Sequence, residues 1–277
     1  MKLVMRNPVL NKAVLGLTGR RLLATYVGAV VAAGVTAIAL AAAFGTTSGD
    51  LVLIVALIVA GALSERFKVG LFGDSHVSLA AATCMAAGII GGPRDVVLVA
   101  PCVAIAANFG GALPLYKTAF NVAVYVLASL VFVGTFHLTA FVSVGADWPQ
   151  MLIPATIAAL AYFAVNVVFV AGAVSLSSSQ PVAAVIKEKY LWLAPHYLPL
   201  GAVAAAMASG YGFAGAWIIP LFAIPLASIQ MAMFQYSAAR VRDLEQLRDA
   251  QARIEAVEAE LERAVRMERQ APGPYAA

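Results

Sequence analysis

Charge is scarce in this chain. Of its 277 residues only 12% are charged, where a soluble domain carries about 25%. Hydrophobic residues make up 62% and the mean hydropathy is +0.89, which excludes an ordinary soluble globular domain. Cysteine is nearly absent. Cys84 and Cys102 both fall inside apolar segments, so a secreted disulfide framework is excluded and both read as small buried hydrophobes. The three histidines, His76, His137 and His196, are too scattered to suggest a metal site. No H-E-x-x-H, C-x-x-C, G-x-S-x-G or G-x-x-x-x-G-K-[ST] pattern occurs, which removes the common zinc, hydrolase and nucleotide signatures. The "FGDSH" tripeptide G-D-S lacks a soluble α/β domain to hold a nucleophile. Period-two alternation is missing as well, and with it the signature of a membrane β-barrel.

What the chain has is long apolar runs, several of about 18 residues or more, each able to cross a ~30 Å hydrocarbon core. Eight apolar segments are expected, at about 22–44, 51–64, 77–92, 95–110, 118–141, 151–175, 196–210 and 214–236. The fold class is therefore all-α, a polytopic transmembrane helical bundle. The third and fourth segments are short for full crossings, since 16 residues reach only about 24 Å. A count of six spans plus a re-entrant pair is the alternative to eight. Segments 22–44 to 214–236 make up a membrane domain over residues 22–239, with a basic cytoplasmic segment, residues 1–21, before it. The first run is longer than a signal-peptide core, which favours an uncleaved first helix, although "ALAAAFG" resembles a cleavage site.

Charge sets the expected orientation. With the N-terminus inside, the inner connections hold Arg66, Lys68, Lys117, Lys187 and Lys189. The outer ones are "GTTSGD", "GGPRD", "VSVGADWPQ" and "SGYGFAG", with Arg94 as their one basic residue. Seventeen of eighteen basic residues then lie in the cytoplasm, as the positive-inside rule requires. Both termini are cytoplasmic in this arrangement, and a bacterial inner membrane suits it. The net charge of +4 is explained by topology, so no nucleic-acid partner is expected. Residues 181–194 mix apolar side chains with Lys187, Glu188 and Lys189 and suggest an interfacial helix anchored by Tyr190 and Trp192. Pro195 and Pro199 are expected to break the chain before the seventh span.

Polar residues inside spans are costly unless they face a partner or a cavity. Asp74, His76, Asn108, Asn121, Tyr125 and Asn166 are the candidate ligand-binding residues on that ground, with helix-to-helix hydrogen bonding as the plainer alternative. No membrane-embedded acid or base forms a proton relay by position alone. No catalytic residue, metal or cofactor is expected, and the chain is not expected to be an enzyme.

The scarce charges are concentrated at one end. From Arg240 to Arg269 there are seven Arg and eight Asp or Glu, against eleven Lys or Arg and six acids in the 239 residues before. Within that stretch Leu247, Ala250, Ile254, Val257, Leu261 and Ala264 alternate spacings of three and four, an a/d seam over three heptads. Residues 240–269 are therefore expected to form a cytoplasmic coiled coil in a parallel homodimer, and 270–277 a disordered tail.

The stretch around "GDSHVSLAAATCMAAGIIGGPRD" and "FNVAVY" resembles the N-terminal membrane region (MASE-like) of bacterial HD-GYP and GGDEF signalling proteins. The matching positions are Val77, Ser78 and Leu79, then Gly92 and Pro93, then Phe120, Asn121, Ala123 and Tyr125. The resemblance covers roughly residues 50–240. It implies a non-enzymatic sensor whose last span leads through a signalling helix to a cytoplasmic output. Neither output signature is present, so the output would belong to a separate protein or to a longer chain. Two alternatives from other classes are a substrate-binding membrane component of a vitamin-like transporter and a scaffold subunit of a larger membrane complex.

Overall fold

A computed structural model describes residues 8–66, 69–72, 75–77, 80–108, 114–142, 149–178, 180–225, 228, 231, 235 and 246–258. The elements are α1 (Pro8–Phe44), α2 (Leu51–Arg66), β1 (Val69–Phe72), β2 (Ser75–Val77), α3 (Ala80–Ile90), α4 (Pro93–Ala106), α5 (Leu115–Val142), α6 (Leu152–Ser178), α7 (Val182–Val185) and α8 (Ala194–Ala214), and residues 218–225 are helical after a short 3-10 turn. The chain divides into two units, Met1–Gln230 and Met231–Ala277.

Four stretches are long and apolar enough to cross a membrane: Arg20–Phe44, Leu115–Ala140, Leu152–Ser178 and Val182–Pro225. Two shorter apolar helices, Leu51–Glu65 and Ala80–Ile90, accompany them. At 1.5 Å per residue the 11 residues of α3 rise only about 16 Å. This short helix is the centre of the bundle. Ala80 through Gly88 are all buried, and α2, α4, α5 and α8 pack around it. Its sequence, "AAATCMAAGII", explains the position, because small side chains on every face let four neighbours approach closely.

The end of the bundle expected to lie outside is closed by side chains. Asp50 caps α2 by accepting the Leu53 N–H at 3.1 Å, and Tyr211, near the end of α8, donates to the other Asp50 oxygen at 2.8 Å. The Arg94 N–H donates to the Thr46 carbonyl at 3.0 Å, joining the α1–α2 loop to the start of α4. Ser209 meets the Met151 sulfur at 3.4 Å beside the start of α6. Parts of all four connections assigned to one side by charge are thus gathered at one end.

Three local features differ from the sequence expectation. The third helix begins at Ala80, not at 77, and a two-stranded antiparallel hairpin precedes it, Val69 pairing with Val77 and Gly70 with His76. Helix α1 begins at Pro8, not at about 22, and residues 8–19 run as helix into the Arg20–Phe44 stretch. The interfacial stretch does not end at its prolines. A helical run continues from Val182 through a π-turn (Ile186–Tyr190) and a 3-10 turn (Leu191–Leu193) into α8. Pro195 falls in the first turn of α8, where the missing N–H costs nothing, and Pro199 lies within the same helix. The chain does turn at Gly215, with φ +55°, a left-handed value that favours glycine. Ile218 consequently folds back to within contact of Gly210, whereas eight residues of continuous helix would separate the two by about 12 Å.

Candidate functional site

Among the buried polar residues of the bundle is an acid. Glu65 is 5% exposed and sits in the last turn of α2. It extends the stripe Leu53, Leu57 and Gly61, one residue per turn, all buried toward α3 and α4. Its Oε1 accepts a hydrogen bond from Tyr125 Oη, on α5, at 2.9 Å. Among the described residues that hydroxyl is the hydrogen-bond partner of the carboxylate, which can accept several more.

Around this pair lies a set of polar groups that brings in three more helices. The Cys84 thiol on α3 is buried beside Thr83 and Ser129. Ser129, one turn beyond Tyr125 on α5, is fully buried, and its Oγ lies next to Cys84 and Tyr162 without a well-formed hydrogen bond to either. Tyr162 on α6 and Tyr197 on α8 have ring centroids 5.9 Å apart, and Tyr197 lies beside Asn166. The result is a polar core joining α2, α3, α5, α6 and α8, in the part of the molecule where polar groups are most costly.

A second buried acid lies at the opposite end of α2. Asp95, in the first turn of α4, is 0% exposed, and the helix N-terminus favours its negative charge. It accepts hydrogen bonds from Thr47 Oγ1 at 2.5 Å, Ser48 Oγ at 2.5 Å and the Ser48 N–H at 3.2 Å. The "GTTSGD" loop is therefore wrapped around a single carboxylate. Gly91 and Gly92 make room for it: a Cβ on the first would collide with the Asp95 side chain, and one on the second with the Thr46 hydroxyl. Gly92 also has φ +86°.

Of the six residues selected from sequence, the structure brings two into the polar core. Tyr125 is the hydrogen-bond partner of Glu65, and Asn166 lies beside Tyr197. Asn121 lies one turn before Tyr125 on α5 but lines a separate cleft between α1, α5 and α6. Asn108 caps its own helix, its Nδ2 donating to the Ala104 carbonyl at 3.2 Å. His76 is on β2, and Asp74 lies outside the described residues. Glu65, Ser129, Tyr162, Tyr197 and Asp95 were not selected. Glu65 had the clearest signal, the four-residue stripe from Leu53, but its place next to Arg66 made it look like the wet end of a span.

Among the described residues no three of His, Cys, Asp and Glu lie together as a metal site. His137 and His196 are both exposed, each against an aromatic ring, Phe136 at 5.7 Å and Trp192 at 5.9 Å. An outward-facing groove of about 570 Å³ between α2 and residues 218–225 is lined by aliphatic side chains such as Val55, Val59 and Ile224, and offers no chemistry. No protein-family model matches the chain, and no match is found among curated proteins or solved structures.

Proposed function

We propose that the chain is a non-enzymatic, multi-pass membrane sensor or transducer that dimerises through its charged C-terminal helix. The observation that carries this reading lies in residues 246–258, which are helical and exposed throughout. Leu247, Ile254 and Val257 are 66%, 59% and 64% exposed, with Ala250 between them on the same stripe. Aliphatic side chains at a/d spacing on a charged helix are satisfied by a second copy in a parallel coiled coil, and a helix of this composition is marginal alone. The remaining seam positions, Leu261 and Ala264, lie outside the described residues.

In this proposal the chain crosses the inner membrane eight times with both termini in the cytoplasm. The gathering of the 45–50, 91–94, 149–151 and 209–215 connections at one end supports alternating directions, and α3 with α4 forms a short inner hairpin. The resemblance to the membrane regions of cyclic-dinucleotide signalling proteins fits a role in which packing changes around the polar core alter the register or rotation of the tail. The recipient would be a separate cytoplasmic protein or an output domain of a longer chain. A state change of this kind requires the stimulus to bind one packing better than the other.

Single cysteines placed at positions 247 to 257 in a cysteine-free background test the proposal in native membranes. Crosslinking is expected at 247, 250, 254 and 257 and not at 249, 252 or 256. Absence of crosslinks, or equal crosslinking at every position, would overturn it.

A further inference from the structure

The cleft that contains Asn121 joins basic, amide and hydroxyl groups to an apolar wall. It encloses about 380 Å³ between α1, α5 and α6. Each helix contributes a stripe spaced by whole turns: Leu23 and Val27 from α1, Lys117 and Asn121 from α5, Val174 and Ser177 from α6. Its polar groups are at the end where α5 begins and α6 ends. The apolar wall, completed by Phe120, runs inward from there. Beside it Tyr26 ties α1 to α6, its hydroxyl donating to the Phe169 carbonyl at 3.0 Å and its ring lying 6.3 Å from that of Phe120.

The polar groups are free for a ligand. Lys117 and Arg20 form no ion pair with any described residue, and the Asn121 amide has no hydrogen bond among them. Ser177 donates to the Val174 carbonyl at 2.8 Å, a bond within its own helix that leaves its oxygen lone pairs free and that the hydroxyl can exchange for another acceptor. Arg20 is exposed, three residues before Leu23 and seven before Val27, hence on the same face of α1 and nearer its start. Among the described residues no acid lines the cleft.

We propose that this cleft is a binding site for an anionic phospholipid. The phosphate is held by Lys117, Asn121 and Ser177 with Arg20 one turn further out, and one acyl chain lies along Leu23, Val27 and Phe120. Charge complementarity selects the headgroup: basic pockets between spans at the cytoplasmic face are suited to phosphate, while an apolar wall is suited to a chain and not to a solvated ion. The site spans α1, α5 and α6, and Asn121 is one turn from Tyr125, so an occupied cleft clamps the elements that support the polar core. The proposal rests on the membrane assignment and on the cytoplasmic side given to the start of α5, and stands or falls independently of the dimeric tail.

The test uses the full chain in nanodiscs of phosphatidylcholine and of phosphatidylcholine with phosphatidylglycerol, followed by native mass spectrometry for retained lipid. Phosphatidylglycerol is expected to be retained in preference. Lys117→Gln and Arg20→Gln should each lower its retention about fivefold, which corresponds to ~1 kcal/mol per basic residue near an anionic lipid. Lys117→Arg should preserve retention. Both side chains are exposed, so unchanged thermal unfolding in pure phosphatidylcholine confirms that the variants are folded. Equal retention of the two lipids, unchanged phosphatidylglycerol retention in both Gln variants, or displacement of the lipid by inorganic phosphate at millimolar concentration would each overturn the proposal.

Discussion

Tyr125 on α5 supplies the Glu65 carboxylate on α2 with a hydrogen bond at 2.9 Å, in a region where water is excluded. A carboxylate taken out of water depends on each donor it retains. Tyr125→Phe should therefore destabilise the bundle by about 1–3 kcal/mol, the cost of leaving a buried group unpaired. Glu65→Gln keeps an acceptor and removes the need to bury a carboxylate, so it should cost less than Tyr125→Phe. Thermal unfolding in one detergent ranks the two. In the double variant Tyr125→Phe with Glu65→Leu the loss should be smaller than the sum of the single losses, because both partners are then apolar.

Asp95 presents a similar case with more donors. Asp95→Ala would strand the Thr47 and Ser48 hydroxyls and the Ser48 N–H at once. A loss of about 1–3 kcal/mol is expected, with faster amide hydrogen exchange confined to residues 45–50. Faster exchange throughout α4 instead would show that the carboxylate holds the helix and not the loop.

The two buried acids also show what could be read from sequence. The helices were legible because long apolar runs are diagnostic, and the expected boundaries of α5 and α6 fall within about three residues of those observed. The polar core was only half legible. Tyr125 and Asn166 stand out because polar residues in mid-span are rare, whereas Glu65 and Asp95 sit at segment ends, where charges are ordinary. Burial at those ends depends on which helices cover them. In a bilayer the core and lipid faces are equally apolar, so the pattern that identifies the inner face of a soluble helix is missing. On α2 the buried Leu53 and Leu57 and the exposed Val55 and Val59 cannot be told apart by hydropathy.

Asp50 provides a pH dependence. The Leu53 N–H, followed by the Tyr211 hydroxyl, holds its carboxyl below the ordinary value of 3.8. A depressed carboxyl contributes stability that is complete above its unfolded value and is lost as pH falls through the folded one. The melting temperature should thus decline below about pH 4, and Asp50→Asn should reduce that slope without altering behaviour near pH 7 beyond a uniform offset. An unchanged slope would mean that the cap is not formed in the membrane.

Close helix approach offers a test with a built-in control. A Cβ on Gly34 of α1 would lie 2.6 Å from the Ala123 Cβ on α5, while one on Gly134, also on α5, would meet nothing within 4 Å. Gly34→Leu should therefore cost at least about 1–3 kcal/mol by prising α1 from α5. Gly134→Leu should be neutral or slightly stabilising through helix propensity. Comparable losses from both would indicate that glycine is needed for a reason other than this contact.

The tail makes opposite-signed predictions at adjacent seam positions. Ala250 and Ile254 are consecutive members of the stripe, and the smaller one leaves the interface underfilled. Leucine at a d position favours two-stranded coils. Ala250→Leu should tighten self-association by about tenfold or more, in keeping with ~1.5–3 kcal/mol for burying a leucine side chain. Ile254→Lys places a charge in the same seam and should shift the particle toward half its mass in multi-angle light scattering. Because residues 246–258 belong to a unit distinct from Met1–Gln230, neither change should move the melting temperature of the membrane bundle. A monomeric wild type would remove the dimer. A tail variant that melts the bundle would instead show that this helix packs on the membrane unit and spends its apolar stripe there.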